Sequence, residues 1–274
     1  MSMASRPPFL IEGHRGARGL WPENTLAGFA GALALDVDAI ELDVAMTRDG
    51  VVVVTHDPCL NPDLTRDATG EWLPQPGPAV ISLDTAQLAA FDVGRARPGG
   101  VTATAFPAQL ACDGAHIPHL TEVLQLARGG RALVDVELKT GLSPPGLTPN
   151  PAVLADAVVA AARSCGMLDR LAVRSFDWRG LDHMRDLWPQ VPLTWLTARA
   201  GPGPAEVARA AGGDGGRWGP DHEGLDPGMV ERAHDLGLLV VPWTVNSLEA
   251  MRRLRDLGVD GICTDRPDVA RSDR

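Results

Sequence analysis

The chain has 274 residues, 45% of them hydrophobic and 22% charged, with a net charge of −10. That size and balance exclude a disordered chain and admit one large domain, the scale at which α/β barrels occur. The acidic surplus excludes nucleic acid as a partner, although a few arginines in a cleft still suffice to hold a single phosphate.

Short apolar runs alternate with stretches of helical spacing. Candidate strands are Phe9 to Glu12, Ala39 to Val44, Leu133 to Leu138, Leu171 to Phe176, Pro192 to Leu196, a weak one near Arg217, Leu238 to Trp243, and Gly261 to Thr264. Between them NTLAGFAGALAL, LTEVLQLA, PAVLADAVVAAARSC, GLDHMRDLW, PGMVERAHDLG and SLEAMRRLRDLG repeat apolar residues at the helical period. Strands alternating with helices pair in parallel, and eight such units predict a closed (β/α)8 TIM barrel, with a doubly wound open sheet as the alternative. VVVVTH, Val51 to His56, follows the Glu41 strand after only MTRDG, too little chain for a parallel crossover. It must return as a hairpin, with Arg48, Asp49 and Gly50 in the turn and His56 within about one residue of Glu41. Residues 58–117 are rich in proline and glycine, with one short helical segment around Asp84 to Phe91, and are assigned as an insertion over the barrel mouth. The stretches 141–151 and 198–216 read as connections, so that 1–274 forms a single barrel domain.

Cys59, Cys112, Cys165 and Cys263 are scattered without a C-x-x-C pair and are expected as free thiols. The first residues carry neither a basic n-region nor a long apolar run, and no later run reaches the length of a membrane span, so a soluble cytoplasmic enzyme is the simplest expectation.

Chemistry concentrates between Ile11 and Asp57. Glu41 and Asp43 are two apart on a strand and share a face; Glu137 and Lys139 repeat that relation. Among the apolar residues of a barrel strand this face is the interior near the C-terminal rim, where unpaired carboxylates are expensive to ionise. A hard divalent cation held by Glu41, Asp43 and Glu137 resolves this, and oxygen ligands select Mg2+ or Ca2+ over zinc. The competing arrangement is an ion-pair network of the three acids with Arg15 and Lys139 and no metal. Lys139 is the only lysine in the chain, which points to a place for a compact point charge rather than a planar fork. His14 and His56 reach the same rim and suit a general acid and base, with Arg15 recognising an oxyanion such as phosphate. Trp243 is as well explained by packing as by a substrate wall. His116, His119, His183, His222 and His234 read as surface or packing residues. The spacing Gly13-x-x-Gly16-x-x-Gly19 is not the dinucleotide fingerprint, and no P-loop occurs.

In order along the chain, HRG, PENT, ELDVxxTRDG, VVxHD, ELK, SFD, PWTVN and DGICTDRP together resemble the glycerophosphodiester phosphodiesterase family over nearly the whole length. The resemblance implies a barrel with an insertion after the HD segment, a divalent cation, and hydrolysis of glycerophosphodiesters to glycerol 3-phosphate and an alcohol. It also implies Glu41, Asp43 and Glu137 as metal ligands and His14 and His56 as the acid/base pair. Arg15 and Lys139 would contact phosphate, and Trp243 would face the substrate. Two departures, the long segment PCLNPDLTRDATGEW and His119 where the family commonly has threonine, bear on the alcohol side of the pocket. The alternatives are a phosphodiesterase for lysophospholipids or other bulky diesters, and a catalytically silent barrel that binds phosphate esters. Which alcohol is preferred, Mg2+ or Ca2+, and which histidine is the acid are left open at this stage.

Overall fold

The computed structural model describes residues 9–141, 144–213 and 215–273. Its elements in chain order are β1 (Leu10–Gly13), α1 (Leu26–Ala34), β2 (Ala39–Met46), β3 (Val52–Val54), α2 (Thr85–Leu88), α3 (Val101–Ala105), α4 (Leu120–Arg128), β4 (Leu133–Leu138), α5 (Pro151–Ser164), β5 (Leu171–Ser175), α6 (Trp178–Leu187), β6 (Leu193–Thr197), α7 (Pro204–Ala211), β7 (Arg217–Pro220), α8 (Pro227–Asp235), β8 (Leu239–Val240), α9 (Leu248–Leu257), β9 (Gly261–Thr264) and α10 (Pro267–Ser272).

Eight of these strands form one parallel sheet in the order β8-β7-β6-β5-β4-β2-β1-β9, and only β3 runs antiparallel, paired to β2. Between the two ends of that order the main chain continues the pairing, with Cys263 N donating to Pro242 O and Val245 N to Cys263 O, each at 2.9 Å. The sheet therefore curls into a barrel and not a doubly wound open sheet. Strands with aliphatic residues on both faces read as unbroken apolar runs because helices cover the outside while side chains fill the inside. Ile11, Ile40, Leu42, Val134, Val136, Val173 and Ile262 are all buried, within one core shared with Phe29, Leu124, Leu154 and Leu254 of the surrounding helices.

The hairpin behaves as its sequence predicts. The register pairs Val44 with Val54 and Met46 with Val52, and Thr55 N still donates to Asp43 O at 3.0 Å. Extending that register sets His56 opposite Leu42, one residue from Glu41. Residues 58–117 carry α2 and α3 and bury Leu60, Leu73, Val80, Leu88 and Ile117 in a small second core against Ala45 and Val53 of the hairpin. Gln109 Nε2 donates to Arg18 O at 2.7 Å and Leu110 N to Leu20 O at 2.8 Å, so the segment leans on the loop between β1 and α1.

Three expectations need correction. The stretch 198–216 is not merely a connection: α7 lies inside it, with Pro204 at its first turn, Glu206 Oε2 accepting from Gly203 N at 3.2 Å, and Gly212 ending it at φ +78°. Residues 58–117 hold two helices, α2 and α3, where one was read. The seventh predicted strand, Leu238 to Trp243, ends as a regular strand at Val240, because Pro242 lacks the N–H needed to extend the ladder on one side, and Trp243 rejoins only as a single parallel bridge to Asp221.

Candidate active site

Every strand of the barrel points its C-terminal end toward the same mouth, and the polar residues gather there. A cavity of about 180 Å3 opens at this end, lined among others by His14, Arg15, Glu41, His56, Glu137, Lys139 and Trp243. Asp43 stands directly behind it: one carboxylate oxygen from each of Glu41, Asp43 and Glu137 lies within 4.8 Å of the others. All eight residues singled out from the sequence thus meet in one place.

β1 delivers the first two. Gly13 has no room for a side chain, since a Cβ there would stand 2.1 Å from Gly16 O. Arg15 adopts φ +49°, a region L-residues rarely occupy, and such strain persists where surrounding contacts impose it. Its backbone N donates to Glu41 Oε2 at 2.9 Å. Its guanidinium reaches Glu23 Oε1 at 2.7 Å and Asp43 Oδ2 at 3.2 Å. Burial would lower the pKa of this group, but Glu23, Asp43 and Glu41 outweigh it and raise the pKa above its ordinary value.

β2 and β4 carry the acids in register, Asp43 beside Glu137. Lys139 Nζ sits 2.7 Å from Glu137 Oε1 and 3.5 Å from Asp43 Oδ1, and although burial would lower its pKa, these acids raise it. Burial, with Asp43 and Glu137 close by, pushes Glu41 well above the usual carboxylate range. Burial acts on Asp43 in the same sense, but Arg15, Lys139 and His56 outweigh it and hold that carboxyl below its ordinary value. Part of a metal-free ion-pair network therefore exists. It is incomplete: among the described residues no hydrogen bond reaches Glu41 Oε1 or Asp43 Oδ1, both buried. Two buried carboxylate oxygens without a hydrogen bond beside Glu137, one of them 3.5 Å from Lys139 Nζ, with only oxygen ligands in the cluster, fit a hard divalent cation.

Each histidine is backed by an acid. His14 Nδ1 lies 2.6 Å from Asp265 Oδ1, and Asn246 Nδ2 donates to the other oxygen at 2.7 Å. His56 Nδ1 lies 2.7 Å from Asp57 Oδ1, whose partner oxygen accepts from Asn61 Nδ2 at 2.8 Å. Burial pushes Asp265 up, but His14 outweighs it and holds the carboxyl below its ordinary value; for Asp57, burial is outweighed first by the hydrogen bond from His56. An ionised carboxylate only accepts, so each Nδ1 carries the hydrogen and each Nε2 is left to accept or transfer a proton. Burial lowers the pKa of His14, more strongly than Asp265 raises it. Trp243 donates from its indole nitrogen to Gly219 O at 2.9 Å and meets Phe176 edge to face, centroids 5.3 Å apart.

Asp57, Asp265, Asn246, Glu23 and Asn24 received no role from the sequence. All lie inside the motifs HD, TDRP, PWTVN and PENT, whose spacing alone does not say which side chain backs which. Of the other histidines, His116, His183 and His234 pair with Glu122, Asp156 and Asp260, and His119 begins α4. The four cysteines are free thiols.

Residues 14–269 match the model of the glycerophosphoryl diester phosphodiesterase family. The chain belongs to this family. A glycerophosphodiester phosphodiesterase of Bacillus altitudinis is 31% identical over 267 residues, covering 95% of this chain and 96% of its own. One from Caldanaerobacter subterraneus subsp. tengcongensis is 29% identical, covering 95% of each chain. A solved structure from Silicibacter pomeroyi DSS-3 is 40% identical with a TM-score of 0.89, covering 96% of this chain and 91% of that one. An Oleispira antarctica phosphodiesterase solved with the product sn-glycerol-3-phosphate shares the fold, with a TM-score of 0.77 at 21% identity and 97% coverage of both chains. Membership in the family makes the chain a phosphoric diester hydrolase acting on glycerophosphodiesters, and the silent-barrel alternative is set aside. No helix among the described residues is long and apolar enough to cross a membrane.

Proposed function

We propose that this enzyme hydrolyses small glycerophosphodiesters to glycerol 3-phosphate and an alcohol with a divalent cation, Mg2+ or Ca2+, held by Glu41, Asp43 and Glu137. The observation that carries the reading is the pair of buried oxygens without a hydrogen bond among the described residues, Glu41 Oε1 and Asp43 Oδ1, beside a cavity lined by His14, His56, Arg15 and Lys139 among others. When bound, the cation supplies Lewis-acid stabilisation of charge on phosphoryl oxygens. Arg15 and Lys139 bind and orient the phosphate from the cavity wall, where donors aimed at developing charge contribute most. His14 and His56, each fixed in the Nδ1–H tautomer by its aspartate, present Nε2 to the cavity as the acid/base pair. Trp243 and Phe176 give the alcohol an apolar surface.

We take the whole chain as one barrel domain, with 58–117 as a wall over the mouth, supported by the contacts of that segment with the β1–α1 loop. Four free thiols support a reducing compartment such as the cytoplasm. A lysophospholipid substrate is favoured by one further feature, an open groove of about 550 Å3 that runs from Asp57 past Pro58, Leu60, Pro62 and Pro76.

The test is release of glycerol 3-phosphate from glycerophosphocholine and glycerophosphoethanolamine after EDTA treatment, with Mg2+ or Ca2+ restored. Cation-dependent release sustains the reading. Faster turnover of lysophospholipid micelles than of glycerophosphocholine would shift the preferred substrate to the bulky diester, and full activity in EDTA would remove the cation.

A further inference from the structure

The loop between β1 and α1 treats the two acids of β2 alike. Arg15 N donates to Glu41 Oε2 at 2.9 Å, and Asn24 Nδ2 donates to Asp43 Oδ2 at 2.9 Å. In each carboxylate one oxygen is occupied by the loop, and the other, Glu41 Oε1 or Asp43 Oδ1, has no hydrogen-bond partner among the described residues. The two residues that do this are both strained, Arg15 at φ +49° and Asn24 at φ +55°, and they are joined by a hydrogen bond from Asn24 N to Arg15 O of 3.1 Å. Asn24 is 4% exposed and also faces the Asp43 backbone, with Asn24 Oδ1 3.4 Å from Asp43 N. Its side chain thus brackets one residue of β2 through both its amide atoms. Asparagine is the residue that tolerates this left-handed backbone and still offers a donor and an acceptor.

We infer that Asn24 is a positioning residue for the cation site: it locks the Asp43 carboxylate so that Oδ1 faces the cluster with Glu41 and Glu137. Without Asn24, the Arg15 guanidinium 3.2 Å from Oδ2 and Lys139 Nζ 3.5 Å from Oδ1 are left to pull Asp43 between them, and the carboxylate samples orientations that present no free oxygen. The loop that carries His14 and Arg15 then also sets the acids, so one loop conformation prepares both the phosphate contact and the cation site. This inference rests on the divalent-cation reading above.

The variant is Asn24→Gly, which removes the amide while accepting the positive φ without strain. Binding of Ca2+ alone and of Mg2+ alone to EDTA-stripped protein is measured by calorimetry, beside the cation dependence of turnover. The expected result is a cation dissociation constant raised at least about tenfold, the effect of ~1.4 kcal/mol, with KM for glycerophosphocholine at saturating cation within about twofold of wild type, a split that a general loss of structure would not produce. A folded Asn24→Gly protein that binds cation within about twofold of wild type overturns the inference. Should that variant not fold, Asn24→Ser, too short to reach Asp43, is held to the same criterion. Failure of wild type to bind either cation would instead overturn the cation reading itself.

Discussion

Asp265→Asn isolates the part of the mechanism that rests on tautomer. In the wild-type site Asp265 is a buried acceptor at both oxygens: Oδ1 faces His14 Nδ1 at 2.6 Å and Oδ2 accepts from Asn246 Nδ2 at 2.7 Å. The orientation of Asn246 is fixed independently, because its own Oδ1 accepts from Asp265 N at 2.9 Å. An asparagine at 265 must therefore keep its oxygen toward Asn246, and its NH2 then points at His14 Nδ1. A donor facing Nδ1 requires that nitrogen to accept, so the ring proton moves to Nε2, the atom that should take or deliver a proton in the cavity. The shape of the site is unchanged while the proton sits on the wrong atom. Removal of a working general acid or base lowers turnover by about 10²- to 10⁴-fold, or roughly 3–5 kcal/mol of barrier. The assay is steady-state release of glycerol 3-phosphate across pH, with cation affinity measured in parallel to show that the carboxylate cluster is intact. Turnover of Asp265→Asn within about threefold of wild type would refute the assignment of His14 to proton transfer through Nε2.

Glu41→Gln should stabilise the cation-free protein while abolishing cation-dependent turnover, since burial and Asp43 already oppose the charge of Glu41. A rise in Tm of at least about 2 °C, the response to ~1 kcal/mol at this size, is expected by calorimetry, and a lower Tm in EDTA would contradict it. The pH dependence of stability follows from His14. Its folded pKa is below the ordinary value of 6.5, so the unfolded chain binds the proton more readily; the destabilisation is full below the folded pKa and disappears as pH rises through 6.5. Asp265 is depressed from 3.8, so its stabilisation is present above that pH and is lost as pH falls through its folded pKa. Urea midpoints should fall on acidification in two steps, with the first absent in His14→Asn; identical profiles for the two proteins would refute the first step. Lys139→Met, by removing the cation 2.7 Å from Glu137, should raise KM for glycerophosphocholine at least about tenfold, and an unchanged KM would detach Lys139 from phosphate binding.

The barrel was legible because the energetic requirement on each strand is simple: a run buried on both faces must be mostly apolar, and β2, β4 and β5 are so, with Glu41, Asp43, Asp135, Glu137 and Arg174 as charged exceptions that point into the barrel's polar interior. α7 was hidden because its eight residues, PAEVARAA, lie between GPG and GGDGG, and the glycines outweigh so short a periodic signal. At the site, spacing of two along a strand was enough to bring Glu41 with Asp43 and Glu137 with Lys139. It could not bring Asp265 to His14, 251 residues away, nor set Asn24 apart from the helix that begins at Leu26. Asn24 sits in the stretch NTLAGFAGALAL as though it were the first helical residue, and only its φ of +55° and its bonds to Asp43 reveal that it belongs to the site. Local periodicity reports what a segment buries, and a long-range hydrogen bond leaves no period.

The same barrel interior holds a second charged layer, and the contrast between the two explains why one is core and the other a site. At the floor of the cavity, which Arg174 helps to line, Arg174 bonds both Glu12 and Asp135, 2.6 Å to the latter, and Arg217 stands 4.0 Å from Asp135. Two acids meet two arginines, so the charges of that layer balance even though Glu12 Oε1 and Asp135 Oδ1 accept no hydrogen bond among the described residues; buried ions are tolerated when they are paired. Above it, Glu41, Asp43 and Glu137 face Arg15 and Lys139, and with Glu23 and its partner Arg18 four acids meet three cations. On the proposed reading a divalent cation held by the three carboxylates would offset that surplus of acid. Lys139, a compact ammonium between Glu137 and Asp43, supplies one of those three cations while leaving room in a cavity of about 180 Å3. In a chain whose 25 basic residues include one lysine, that is the position where, on the proposed function, a guanidinium fork would compete with the phosphate for space.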